Sequence, residues 1–372
     1  MVLIALWNQQ HASIQYNDNN NNNNTVIMST SKMEMEALEL EFRSLGMSLL
    51  RRSLDGSKRI ESRRFSEHFG TSPRVIAFIW RRICKVDRIS FLQEQDDNPG
   101  QATAKKPAAR KKVSILYALY HLKTYQTESV ASCFLGCDEK TYRKHVRDMI
   151  AMIAFLEPFL VSFEIKNAFN KCLICTYLSS FHTQIKIKDR YKEDKGNDCL
   201  LSVDCVDFRI CEPYPYDSAW SKKWSSHKFK MKPAVRYEIA ICILTGEICW
   251  INGPWPCGQF NDWKIFNECG LRTFLEPDER VEADAGYSHG DPEVCKTPNG
   301  VFHPEKKKNI RNRVRARQET VNARLKNWKI LCERYRHKLE HHSDIVRAIA
   351  VITQIEIKYF NRPLFSTAEY ED

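Results

Sequence analysis

Asp204, Asp284 and Glu319 are the residues of this 372-residue chain whose types and spacing suggest joint chemistry: the second lies 80 residues after the first, the third 35 after the second. The first two end strand-like apolar runs, and the third falls in a long basic helical pattern. Carboxylates placed in this way can converge on a pair of divalent cations and activate water against a phosphodiester bond. The spacing therefore points first to DNA cutting. Asp207 follows Asp204 by three residues, and in a strand of period two an odd separation sends side chains to opposite faces. Asp204 is expected at the site and Asp207 away from it. Ala285-Gly286 permits a tight turn that leaves the Asp284 carboxylate open at its strand end. Glu319 shares a helical face with Arg315 and Asn322, so one face offers a metal ligand flanked by phosphate contacts. Without the 35-residue spacing, a surface ion pair worth about 0.3 kcal/mol would be the preferred reading of Glu319.

These acids need strands and a helix to hold them. CLLSVDCVDFRI reads as one strand, and RYEIAICIL and EICWINGPW flank Thr245-Gly246 as a hairpin. A helix is expected around Asp262 to Cys269, then the short strand ERVEADAGY, an irregular stretch to Asn309, and helix from about Asn309 to Phe360. Strands first and helices after give an α/β domain. Residues 301–340 hold thirteen Lys or Arg against four Glu, and Glu319 lies among them. Arg313, Arg315, Arg317, Arg324 and Lys326 are the cations expected on DNA. AWSKKWSSHKFKMK interleaves Trp220, Trp224 and Phe229 with five lysines and His227. It suits backbone tracking with stacking, or a structural loop that packs its tryptophans.

The N-terminal half reads as helical. Residues 1–33, with the asparagine run Asn19 to Asn24, have no periodicity that could bury a face and are expected to be disordered. An amphipathic helix should cover Met33 to Leu54, and a second should start behind Thr71 or Ser72 with Pro73 in its first turn, ending near Val86. Gln95 to Lys112 reads as an exposed loop whose KKPAARKK suits a nuclear localisation signal or a phosphate-touching surface. From Val113 to Leu156 the pattern is helix-turn-helix: a helix to Tyr125, a short one over Glu128 to Phe134, a turn at Gly136, and a last helix capped by Asp138. That last helix carries Lys140, Arg143, Lys144 and Arg147, which suit DNA docking. The expected domains are a 34–160 helical module, a 161–197 connector and a 198–365 catalytic domain.

VDCVDFRI resembles the first-aspartate strand of the Harbinger-type DDE superfamily nucleases. The hairpin with its Gly-Pro loop and following helix, ADAGY, RARQETVNARLKNWKIL and the tail from RHKLEHHSDIV to NRPLF are similar to that family's remaining motifs in the same order. The resemblance covers about residues 198–365. It implies a ribonuclease H-like core and a transposase-type endonuclease. Asp204, Asp284 and Glu319 then fall on the three metal-binding acids, with two ions, magnesium or in its place manganese. Strand transfer by the freed 3′-hydroxyl could follow the cut. Asp262 matches another family aspartate and is expected to cap its helix or support the site beside Asn322. Cys205 and Val206 stand where the family carries glycine and a small polar residue, so the strand is bulkier there. The His341-His342 pair is expected at the surface. The implied partners are DNA, as mobile-element ends and target, a Myb-like DNA-binding protein, and a second copy of the chain.

Composition agrees with a polyanionic partner, because the formal charge is +11. The fourteen cysteines include only one C-x-x-C pair, Cys172 and Cys175, beside Cys133 and Cys137. That pattern favours buried thiols over zinc and a reducing compartment. No apolar run reaches the roughly 18 residues of a membrane span, and MVLIALW lacks a cationic flank. A soluble, nuclear protein is expected. Two other classes fit the same motifs: a DNA-binding protein with the core kept as scaffold, and a factor that recruits a separate DNA-binding partner.

Overall fold

The apolar run around Asp204 becomes the central strand of a seven-stranded sheet. The computed structural model describes residues 21–52, 58–97, 112–160, 191–192, 198–212, 222–243, 246–275, 279–287, 294–297 and 305–360. The strands are β1 (Tyr191–Lys192), β2 (Asp198–Arg209), β3 (Ser225–Ser226), β4 (Lys232–Cys242), β5 (Ile248–Pro256), β6 (Glu279–Ala283) and β7 (Cys295–Lys296). Their path is β3-β4-β2-β6-β7, with β5 on β4 and β1 on β2. β2, β4 and β5 pair antiparallel, whereas β6 lies parallel to β2 and β7 parallel to β6. The sheet is mixed.

β2 is apolar on both faces because it divides two cores. Leu201, Val203 and Cys205 enter one cluster with Ile265, Phe266, Val281 and Tyr287. Val206, Phe208 and Ile210 enter the other, which runs on through the N-terminal helices. The period of two sorts these residues. The bulk of Cys205 and Val206, 1% and 2% exposed, is thus absorbed in packing on opposite sides.

The N-terminal region is helical throughout its described residues: α1 (Asn21–Leu49), α2 (Lys58–Phe69), α3 (Pro73–Asp97), α4 (Lys112–Thr124), α5 (Glu128–Leu135), α6 (Glu139–Ala154) and α7 (Glu157–Leu160). α1 begins inside the asparagine run, where disorder was expected, since adding residues to an existing helix is cheaper than starting one. α3 continues past Val86 to Asp97, because no Gly or Pro interrupts it there. Most of KKPAARKK and the Cys172/Cys175 pair lie outside the described residues. The turn at Gly136 and the cap at Asp138 lie where the sequence placed them. Thr127 caps α5 through Val130 N, Gly136 adopts φ 69°, and Asp138 accepts from Lys140 N and Thr141 N at the head of α6.

Later helices among the described residues include α8 (Asp262–Lys264), α9 (Glu305–Lys326), α10 (Lys329–Cys332) and α11 (His342–Tyr359). α11 packs against α6 as well as against β5. Its His342 is fully buried rather than at the surface, with its ring stacked on Tyr237 and Nδ1 2.9 Å from the Tyr237 hydroxyl. Burial pushes that imidazole down to about 3, so it is neutral. No helix among the described residues is long and apolar enough to cross a membrane.

Candidate functional site

Strand register builds the site. β2 and β6 run parallel with Val203 opposite Ala283, so Asp204 and Asp284 are the next residues. Asp284 follows the end of β6, whereas Asp204, expected at a strand end, lies within β2, which runs on to Arg209 because β4 pairs with it that far. Beyond that point β6 stops, which leaves Asp204 in β2 without a strand partner on that side. Each acid is fixed by backbone: Cys205 N donates to Asp204 Oδ1 at 2.7 Å, and Gly286 N donates to Asp284 Oδ1 at 2.8 Å. Gly286 is required for space. A Cβ there would lie 2.7 Å from Asp262 Oδ2 and 2.9 Å from Asp284 Oδ1, which also shows how close these two carboxylates come.

α9 reaches the same place from above the sheet. Gln318 Nε2 donates to Ile239 O at 3.1 Å, and Ile239 is the cross-strand partner of Asp204. Arg317, expected on DNA, is instead buried and donates to Ile243 O. Its long side chain clamps the helix to β4, so burial replaces the phosphate role read from its charge. One turn further, Asn322 Nδ2 donates to Asp204 Oδ2 at 2.7 Å, and Asn322 Oδ1 is buried without a protein partner. Glu319 lies one turn before Asn322 and is exposed. Among the described residues no three His, Cys, Asp or Glu side chains stand close enough to hold a metal ion. The helix therefore meets Asp204 through Asn322, while Glu319 stands outside that contact.

Asp262 does not cap its helix. Asn261 does so, accepting from Lys264 N at 2.7 Å. Asp262 is turned to Arg236, whose Nη1 lies 2.7 Å from Asp262 Oδ1, while Nε and Nη2 take both oxygens of Asp207 at 2.7 and 3.0 Å. Ser226 Oγ also donates to Asp207, at 2.6 Å. Asp207 is thus a buried structural acid, and Arg236 joins it to Asp262. The one visible signal was an arginine inside an apolar strand.

Electrostatics separates the acids. Burial pushes the Asp204 carboxyl up to about 6; Lys228 opposes this, and Asp284 and Asp262 add to it. Burial likewise raises Asp262 against the pull of Arg236 and Lys228. For Asp207 burial acts upward too, but the hydrogen bonds and charge of Arg236 prevail and hold it below the ordinary carboxylate range. Crowded carboxyls held in their less favourable form mark a place that gains from a cation.

Glu238 lies beneath this cluster, opposite Cys205 on β4 and fully buried. Trp250 Nε1 donates to its Oε2 at 2.8 Å, yet burial still pushes the carboxyl up to about 7. With the folded value raised above the ordinary 4.5, its contribution to stability is whole below about pH 4.5 and is lost as pH rises through about 7. Glu238→Gln should therefore flatten the decline of stability between pH 5 and 8 by about 2 to 3 kcal/mol, measured by urea unfolding. Parallel slopes in the two proteins would refute the assignment.

The DNA-facing expectations divide. On α6, Lys140, Lys144 and Arg147 are exposed, whereas Arg143 is paired with Glu128 at 2.5 Å. On α9, Arg315 and Arg324 are half-buried and Lys326 is exposed; the side chain of Arg313 lies outside the described residues. In the aromatic-basic stretch Trp224 is buried, and Lys223 and Arg209 lie over Trp224 and Phe229 at 5.6 and 5.8 Å. Packing accounts for these two aromatics.

Residues 203–354 match the family model described as DDE superfamily endonuclease, a span that contains Asp204, Asp262, Asp284 and Glu319. No curated protein and no solved structure matches the chain.

Proposed function

We propose that the protein is a metal-dependent DNA endonuclease of transposase type, a reading supported by the match of residues 203–354 to the family model described as DDE superfamily endonuclease. The observation that carries this reading is the register of β2 and β6, which sets Asp204, within β2, beside Asp284 at the end of β6. The order β5-β4-β2-β6-β7, three antiparallel strands followed by two parallel ones, supports a ribonuclease H-like core. The α4 to α6 segment supports the helix-turn-helix reading, with Lys140, Lys144 and Arg147 toward DNA.

The donor set suits hard divalent cations, since it is all oxygen and includes the buried, unpartnered Oδ1 of Asn322. Asp204 and Asp284 would hold two magnesium or manganese ions, with Glu319 added from α9. Bound there, the ions would supply an activated water and charge stabilisation for the leaving oxygen of an in-line cleavage. The chain's own residues prepare that site. Asn322 fixes the outer oxygen of Asp204, Gly286 leaves room between Asp262 and Asp284, and Arg236 holds Asp262 in place. Arg315 and Lys326, on one face of α9, would serve phosphates, and a freed 3′-hydroxyl could then join target DNA. A nuclear site of action follows from the DNA substrate.

The test is nicking of supercoiled plasmid with magnesium or manganese. Asp284→Asn and Glu319→Gln should each lower the rate more than the roughly hundredfold that removal of an outer-shell partner costs. A wild-type chain that binds DNA tightly but cuts nothing with either ion would establish the second reading, a DNA-binding protein with the core as scaffold. The exposure of Glu319 is the observation that favours it. A chain that binds no DNA alone would point to recruitment by a Myb-like partner.

A further inference from the structure

The segment between β3 and β4 is held in an unusual shape. His227–Phe229 form one 3₁₀ turn, after which Lys230 and Met231 both adopt left-handed backbone, φ 53° and 65°. Neither is glycine, so the conformation is strained and must be imposed by its surroundings. The anchors are visible. Met231 N donates to Ser226 O at 2.8 Å, Lys230 N to His227 O at 3.2 Å, and Ser226 Oγ to Asp207. The outcome is that Lys228 reaches back across β2, and its Nζ donates to Cys205 O at 2.8 Å, one residue from Asp204. The carboxylates that act on this ammonium are those of Asp204, Asp262 and Asp207. Lys228 thus ends one residue from Asp204, an acid that the proposed function gives to divalent ions, yet no other step requires it.

Resting on that reading, we propose that Lys228 is a substrate-contacting residue that, without DNA, holds the place of the divalent cation. Its ammonium offsets the Asp204 charge while the site is free, as Arg236 does for Asp262. When a phosphodiester enters, the ammonium turns to a non-bridging phosphate oxygen, a partner suited to a flexible point charge with three donors. The carboxylates are then left to the incoming ions. Divalent loading and DNA binding are therefore coupled: each strengthens the other by the same factor. A strained turn fits this role, because it holds the lysine at the acids without burying it; Lys228 itself is exposed.

Calorimetric titration of the full chain with calcium, used so that cleavage does not intervene, tests the idea with and without duplex DNA. For wild type, DNA should tighten calcium binding by about tenfold, within the range of ordinary coupling between sites. Lys228→Met should bind calcium about tenfold more tightly than wild type without DNA and show little further gain with it. Lys228→Arg, which keeps the charge, should restore the coupling. Circular dichroism checks that each variant is folded. Equal or weaker calcium binding by folded Lys228→Met overturns the proposal while leaving the metal site intact. Absence of calcium binding in every protein, with or without DNA, removes the metal site and this inference with it.

Discussion

Asp204→Asn will abolish divalent-dependent cleavage while leaving the fold as stable as wild type, or more so. Activity should fall by at least about a thousandfold, because the amide keeps the shape but removes a charge on which two cations depend. The expected stability gain has a separate cause. Burial, Asp284 and Asp262 hold the Asp204 carboxyl at about 6 against the help of Lys228, so its ionised form is strained at neutral pH. A folded value above the ordinary 3.8 means a contribution whole below about pH 4 and lost as pH rises through about 6. Asparagine does not ionise and escapes this loss, which at pH 7.5 amounts to about 1 to 3 kcal/mol. The single oxygen of asparagine can still accept from Cys205 N, and its amide nitrogen then donates to Asn322 once that side chain turns its unpartnered Oδ1 toward it. Plasmid nicking and urea unfolding at pH 6 and 7.5 give both readouts. Retained cleavage would remove Asp204 from the chemistry. A loss of stability above about 1 kcal/mol would make it a structural acid like Asp207.

That contrast between Asp204 and Asp207 was legible in the sequence, because a strand's period of two is strict and three residues must change face. The hairpin, the Asp138 cap and the Gly136 turn were legible for the same reason: short-range stereochemistry decides them. The partners of the site were not. Lys228 is one of five lysines in its stretch, and only the left-handed pair after it, set by contacts to Ser226 and Asp207, directs it to β2. Asn322 shares its helical face with Glu319, so the sequence left open which of them meets Asp204 until Gln318 and Arg317 fixed how α9 lies on β4. Charge alone also misplaced Arg317, since a guanidinium serves buried carbonyls as readily as phosphate. Long-range register decides such questions, and no local window contains it.

Arg236→Met will be the most destabilising single change near the site, at about 3 to 5 kcal/mol. The guanidinium is 8% exposed and meets two carboxylates at once, Asp207 through Nε and Nη2 and Asp262 through Nη1, with Phe260 O at 3.2 Å as a further acceptor. Methionine fills much of its volume, so the loss arises from charge rather than from a cavity. Asp207, 1% exposed, keeps Ser226 Oγ, the weak Cys257 thiol donor and the more distant Lys228, and Asp262 keeps that same lysine while still facing Asp284. Two buried carboxylates without their counterion must either protonate or draw in water, and both routes open the sheet around β2 and β4. The melting temperature should drop by about 10 °C or more. The double variant Arg236→Met with Asp207→Asn should recover part of this, because one of the stranded charges goes with it. Coupling of that sign would locate the effect in the ion pairs. A double variant no better than Arg236→Met alone would mean that Arg236 stabilises β4 by packing, and that Asp262 reaches its position beside Asp284 without a charge to hold it.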